Sequence, residues 1–137
     1  IQIAKLHLHE SNLKIDYKKI LIEEFSKDHL EFFDVVSCME MLEHVPSPSS
    51  ILDHIATVAK PGGLIFFSTL NRTFKAWLFA IVGAEYLLRL LPKGTHRYDK
   101  FIAPSELHRA ALDNGLRLIG MKGLHYDPFF KKHALSD

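Results

Sequence analysis

Phe33-Asp34-Val35-Val36-Ser37-Cys38-Met39-Glu40-Met41-Leu42-Glu43-His44-Val45-Pro46 is the stretch on which the fold turns. Residues 33–38 are a short run rich in β-branched side chains, the pattern of a strand buried on both faces, as parallel strands usually are. The chain then runs through Met39 to His44 into Pro46-Ser47-Pro48-Ser49-Ser50, whose serines can cap a helix over 51–60. Pro61-Gly62-Gly63 stops that helix, and residues 64–70 give a second continuous apolar strand. Strand, helix, strand in that order predicts a right-handed crossover with parallel strands, hence an α/β fold.

Upstream, residues 1–9 carry a mostly helical apolar pattern that Ser11-Asn12 would end. Leu13-Lys14-Ile15-Asp16-Tyr17 alternates apolar and polar as a short strand does, and a helical or irregular piece follows over 20–25. Downstream, residues 73–91 are almost uniformly apolar, broken by Lys75, Gly83, Glu85 and Arg89 and closed by Pro92-Lys93-Gly94. Pro104-Ser105-Glu106 opens another helix that Asn114-Gly115 would cap, and residues 116–124 read as a last strand. No repeat or linker divides residues 1–137, so they form part of one domain.

Composition narrows the class. A chain of 137 residues with 47% hydrophobic and 24% charged side chains has the balance of a soluble globular domain. A formal charge of +1 with Lys and Arg scattered among Asp and Glu speaks against nucleic acid as a partner. The single cysteine, Cys38, excludes an intramolecular disulfide and suits a reducing, cytoplasmic setting. Its position gives it no basic neighbour, which marks a small buried hydrophobe more than a nucleophile.

The chemistry concentrates just past the first strand. Glu40, Glu43 and His44 have the spacing i, i+3, i+4, which on a helix would put all three on one face beyond the carboxyl end of a strand, where open α/β sheets place their ligands. Two carboxylates and an imidazole suit a divalent cation such as magnesium or manganese. Two other roles fit the same residues: orienting the loop with no metal, or, for His44, acting as a general base.

The stretch 33–46, with Lys60-Pro61-Gly62-Gly63 and Phe67-Ser68-Thr69-Leu70-Asn71-Arg72, resembles the class I methyltransferases. Val82-Gly83-Ala84-Glu85-Tyr86, Pro92-Lys93-Gly94-Thr95-His96 and Gly123-Leu124-His125-Tyr126-Asp127-Pro128 are similar, more narrowly, to the bacterial ubiquinone-biosynthesis O-methyltransferases. This resemblance implies a Rossmann-like sheet of strand order 3-2-1-4-5-7-6, present only in its C-terminal part, with the first, second and seventh strands missing. It implies S-adenosylmethionine as methyl donor, Met39 as a cofactor contact, and magnesium at Glu40, Glu43 and His44. The Gly-rich loop and ribose-binding acid of the family are not found, since Gly62-Gly63 follows a helix and precedes a strand.

By the same resemblance the parent protein methylates a hydroxyl of a polyprenylated catechol or hydroquinone, at one or both O-methylation steps of ubiquinone biosynthesis. A methyltransferase for another small phenol or for carbon, and a non-catalytic remnant within a quinone-biosynthesis complex, are the rivals. Residues 73–91 fit this substrate. They are too short and too charged to span a bilayer, which takes about 20 apolar residues, but could lie in the interface with Trp77, Tyr86, Arg72, Lys75 and Lys93 at the headgroups. Peripheral attachment at the inner membrane is the expectation, and a buried helix covering the sheet is its alternative.

Overall fold

A computed structural model of the protein describes residues 1–11, 13–87, 89, 92–127 and 132–136. Its centre is the expected crossover. Strand β1 (Phe33–Met39) leads through a single 3-10 turn, Leu42–His44, to helix α3 (Pro48–Val58) and then to β2 (Ala59–Ser68), which pairs parallel to β1. Before β1 stand α1 (Gln2–Ser11) and the short α2 (Ile22–Phe25), and after β2 come α4 (Phe74–Ala76) and α5 (Pro104–Asp113). A separate antiparallel pair, β3 (Gly123–Asp127) and β4 (Lys132–Ser136), ends the described chain.

Helix α3 begins with Pro48 in its first turn, where the missing N–H costs nothing. Ser47 holds the cap position, although its hydroxyl makes no capping bond. Ile51, Leu52, Ile55 and Val58 recur on one face and are buried, Leu52 completely. Ile51, Leu52 and Ile55 close on Cys38 and Leu42, with Val36, Ile65 and Phe67 of the sheet and Leu107, Ala110 and Ala111 of α5 packed around them. Ser26 Oγ and His54 Nδ1, 3.0 Å apart, tie the α2 region to the outer side of α3.

The helix stops two residues before the predicted end at Lys60. The residue ahead of a proline is pushed out of helical backbone, and Ala59 is already extended. Phe33 pairs with Ala59 and Val35 with Leu64, so residues 60–63 bulge out of the ladder. Gly62 turns the bulge with φ +79°, and a side chain on Gly63 would lie 2.9 Å from the Lys60 carbonyl and 3.1 Å from that of Asp34.

Two expected strands are corrected. Residues 13–17 are irregular, with Leu13 and Ile15 exposed; alternation supplies a face but not a ladder, and no described strand lies beside them. Residues 116–122 are likewise irregular, and regular pairing begins only at Gly123, where β4 offers a partner. Val35, Met39, Leu64 and Phe66 of the two-stranded sheet remain exposed.

Candidate active site

Because β1 and β2 are parallel, both carboxyl ends lie at the same edge, with Met39 opposite Ser68. There β1 ends in a sharp turn at Glu40, whose φ of +49° is left-handed and uncommon for a residue with a Cβ. The turn is held from β2: the Glu40 amide donates to the Ser68 carbonyl at 3.0 Å, and the Ser68 hydroxyl donates to Glu40 Oε1 at 2.6 Å. Glu43 reaches the same edge, its Oε2 accepting the Thr69 hydroxyl at 3.1 Å.

Glu43 is buried, and its Oε1 is the only buried side-chain nitrogen or oxygen without a hydrogen-bond partner among the described residues. A carboxylate oxygen kept from water with nothing to accept is costly, which marks it as a point where a cation or a donor would be favourable. The helical face expected for Glu40, Glu43 and His44 does not form, because the left-handed turn at Glu40 and the 3-10 turn over Leu42–His44 replace it. Among the described residues no group of three or more His, Cys, Asp or Glu side chains is arranged to hold a metal. Glu40 and His44 are exposed beside the buried Glu43.

Met39, the expected cofactor contact, is exposed at the end of β1. Cys38 next to it is buried, and burial first, then the Glu43 charge, push its thiol pKa up, so it packs as an inert hydrophobe.

The loop after the apolar segment, part of the Pro92-Lys93-Gly94-Thr95-His96 motif of the resemblance, for whose His96 the sequence assigned no role, completes the edge. The His96 ring stands 5.9 Å from that of His44 between centroids and 6.2 Å from that of the buried Phe101. It is held by Glu85, which is 1% exposed and accepts three bonds: from the Gly94 amide at 2.6 Å, from the His96 amide at 2.8 Å and from His96 Nδ1 at 3.0 Å. Burial opposes the charge on Glu85, yet the His96 and Gly94 amides and the His96 ring outweigh it and hold its carboxyl below the ordinary glutamate range. An acid inside an apolar run, followed by a Pro-Lys-Gly turn and a histidine, was the available signal.

Helix α4 continues as a π-helical segment, Trp77–Leu87, that carries Glu85. Phe74, Leu78, Phe79, Tyr86 and Leu87 are exposed along it, and Lys93 Nζ lies 5.4 Å from the Tyr86 ring centre. Arg72, expected at a headgroup, pairs instead with Glu106, whose carboxylate also accepts the Ala103 amide at 2.9 Å and so fastens α5 to the end of β2. Among the described residues no helix is long and apolar enough to cross a membrane.

A family model described as a methyltransferase domain matches residues 4–120. The chain is 58% identical over 134 residues to a protein of Azoarcus sp. (strain BH72) named ubiquinone biosynthesis O-methyltransferase, a match covering 98% of this chain and 58% of that protein. Proteins of the same name from Bordetella pertussis and Nitrosomonas europaea are 54% and 53% identical over 136 residues, covering 99% of this chain and 56% and 58% of theirs. The chain therefore spans somewhat more than half the length of the curated relatives it matches.

Proposed function

As this chain belongs to the methyltransferase-domain family, we propose that the protein carrying it is an O-methyltransferase of ubiquinone biosynthesis, moving a methyl group from S-adenosylmethionine to a hydroxyl of a polyprenylated catechol or hydroquinone. The observation that carries this reading is the edge just described: a buried carboxylate with a free oxygen at the carboxyl ends of parallel strands, in a chain more than half identical to proteins of that name. Open α/β sheets bind their ligands at that edge.

S-adenosylmethionine supplies a methyl group already made electrophilic by the sulfonium charge. What remains for the protein is to align the acceptor and manage its proton. Met39 offers a flexible thioether to the cofactor at the end of β1. The rest of the cofactor cradle belongs to the first and second strands, which together with the seventh lie outside these 137 residues in our reading. The exposed Val35, Met39, Leu64 and Phe66 support that, since a complete domain would cover them. The 137 residues alone are then insufficient for turnover.

A magnesium ion would be held at the unpartnered Glu43 oxygen, the feature that fits one, with Glu40 and His44 as further ligands; the three side chains are not arranged around a metal as they stand, so Glu40 and His44 would have to turn toward it. Such an ion supplies Lewis acidity that eases loss of the phenolic proton near neutral pH. Glu43 is held from behind by Thr69, so its carboxylate is oriented before a ligand arrives. If His44 instead takes the proton directly, activity survives chelation; loss of activity on chelation and recovery with magnesium supports the metal reading.

The substrate's tail accounts for the apolar segment. Phe74, Leu78, Phe79, Tyr86 and Leu87 form an exposed surface suited to lying on lipid, giving a protein peripheral at the membrane. Flotation with liposomes tests this: the complete domain should co-float, and replacing Phe79 and Leu87 by serine should release it. Unchanged flotation would remove the lipid role. For the reaction itself, labelled methyl transfer to a short-chain polyprenyl catechol is the test, and transfer only to non-prenylated or carbon acceptors overturns it.

A further inference from the structure

The pairing of Glu85 with His96 is not used by the reaction as described above, yet it determines what His96 can offer. Glu85 is an ionised carboxylate able only to accept. All three groups that meet it must therefore donate: the amides of Gly94 and His96, and Nδ1 of the His96 ring. With its proton on Nδ1, a neutral His96 ring carries its lone pair on Nε2, at the opposite side of the ring from Glu85.

That second nitrogen has no hydrogen-bond partner among the described residues, although the His96 side chain is only 14% exposed. The ring neighbours His44, the residue after Glu43, whose own free oxygen lies at the same edge of the sheet. An acceptor atom on a mostly buried ring, fixed in tautomer, without a protein partner among the described residues and placed beside the candidate site, is suited to receive a hydrogen-bond donor.

We propose that His96, positioned by Glu85, accepts a hydrogen bond from a phenolic hydroxyl of the methyl acceptor through Nε2, and so selects hydroxylated rings over their alkylated counterparts. The inference rests on the proposed methyl transfer to a catechol or hydroquinone, and it adds a specificity-determining residue to that site. Its chemistry is discriminating: an ether oxygen has no proton to give, so a product or fully alkylated ring leaves Nε2 unpaired and binds less well. Glu85 is a positioning residue, acting through the ring it orients. It also links the apolar segment to the loop holding His96, so both ends of a tailed substrate would be met by connected parts of the chain.

The test uses the complete domain, made by joining this chain to the part of the Azoarcus relative that it does not span. Calorimetry measures binding of a short-chain prenyl catechol and of its dimethyl ether to the unaltered protein, His96→Leu, His96→Gln and Glu85→Gln. One net hydrogen bond corresponds to roughly a three- to tenfold preference for the catechol. The unaltered protein should show that preference, H96L should lose it while still binding the ether normally, and H96Q, which keeps an acceptor near the Nε2 position, should recover part of it.

E85Q should lower the preference without abolishing ether binding, and long-range nitrogen–proton NMR on the unaltered protein should show the proton of His96 on Nδ1. A merely structural role would weaken both ligands alike in H96L, and that outcome overturns the proposal. So does an undiminished preference in H96L, absence of any preference in the unaltered protein, or a proton found on Nε2. Methyl transfer is measured on the same unaltered protein: transfer with no His96-dependent preference sinks this inference alone, whereas no transfer sinks the function on which it rests.

Discussion

Replacing Glu43 by methionine should make the fold more stable while removing its chemistry. Glu43 is 4% exposed and spends only one carboxylate oxygen, on the Thr69 hydroxyl at 3.1 Å; the other is buried with no partner. An unsatisfied buried polar group costs about 1–3 kcal/mol. Methionine matches the length of glutamate and fills the same space with apolar atoms, and the freed Thr69 hydroxyl can turn to water. The expected gain is therefore about 1–3 kcal/mol, which in a domain of 150–250 residues raises the melting temperature by roughly 2–4 °C per kcal/mol. Thermal melts of the complete domain without added cation measure it directly. Added magnesium should raise the melting temperature of the unaltered protein and leave E43M unmoved, while methyl transfer by E43M falls to background. A lower melting temperature for E43M without cation would refute the reasoning, because it would mean that the carboxylate stabilises the empty site. Such an exchange of stability for a ligand-ready group is common where function needs a strained or unsatisfied side chain.

Gly63→Ala should destabilise by about 1–3 kcal/mol, since the added carbon would meet three backbone carbonyls, those of Lys60, Asp34 and Phe33, that have little room to move; an unchanged urea midpoint contradicts the close approach of the bulge to β1. For Glu85 the direction of the pKa gives the pH window. Its carboxyl is depressed in the fold, so the stability it contributes is fully present above the ordinary glutamate value and is lost as pH falls through the lower folded value. The difference in urea midpoint between the unaltered protein and E85Q should be constant above about pH 5 and shrink below about pH 4, and a difference that persists into acid would remove the charge from the account. The 137 residues expressed alone should melt without cooperativity and transfer no methyl group; a sharp transition or turnover shows that the chain needs nothing more.

The crossover unit was legible because its signals are local. A β-branched run, an apolar face recurring along residues 51–58 and the Pro61-Gly62-Gly63 punctuation each act within a few residues, and all three point to the same topology. The strands expected over 13–17 and 116–124 were not realised as read, because a strand is completed by its neighbour and the sequence of one segment does not contain that neighbour. At the site, Glu40, Glu43 and His44 were read as one helical face, and that arrangement does not form. The left-handed Glu40, fastened by Ser68 from the adjoining strand, depends on a contact 28 residues away. His96 shows the same lesson from the other side. Its pairing with Glu85 crosses a turn of backbone that places an amide, a ring and a second amide on one carboxylate, a geometry that the acid, the Pro-Lys-Gly turn and the histidine signal only by their order along the chain.

The most direct test of the proposed activity is to supply the complete domain with S-adenosylmethionine carrying a trideuterated methyl group, together with a short-chain prenyl catechol, and to identify the product by mass spectrometry. A single labelled methyl ether on a ring oxygen, formed by the unaltered protein and lost in Glu43→Met, is the predicted result. A label on carbon, or no product while the protein is folded and binds the donor, would contradict the account.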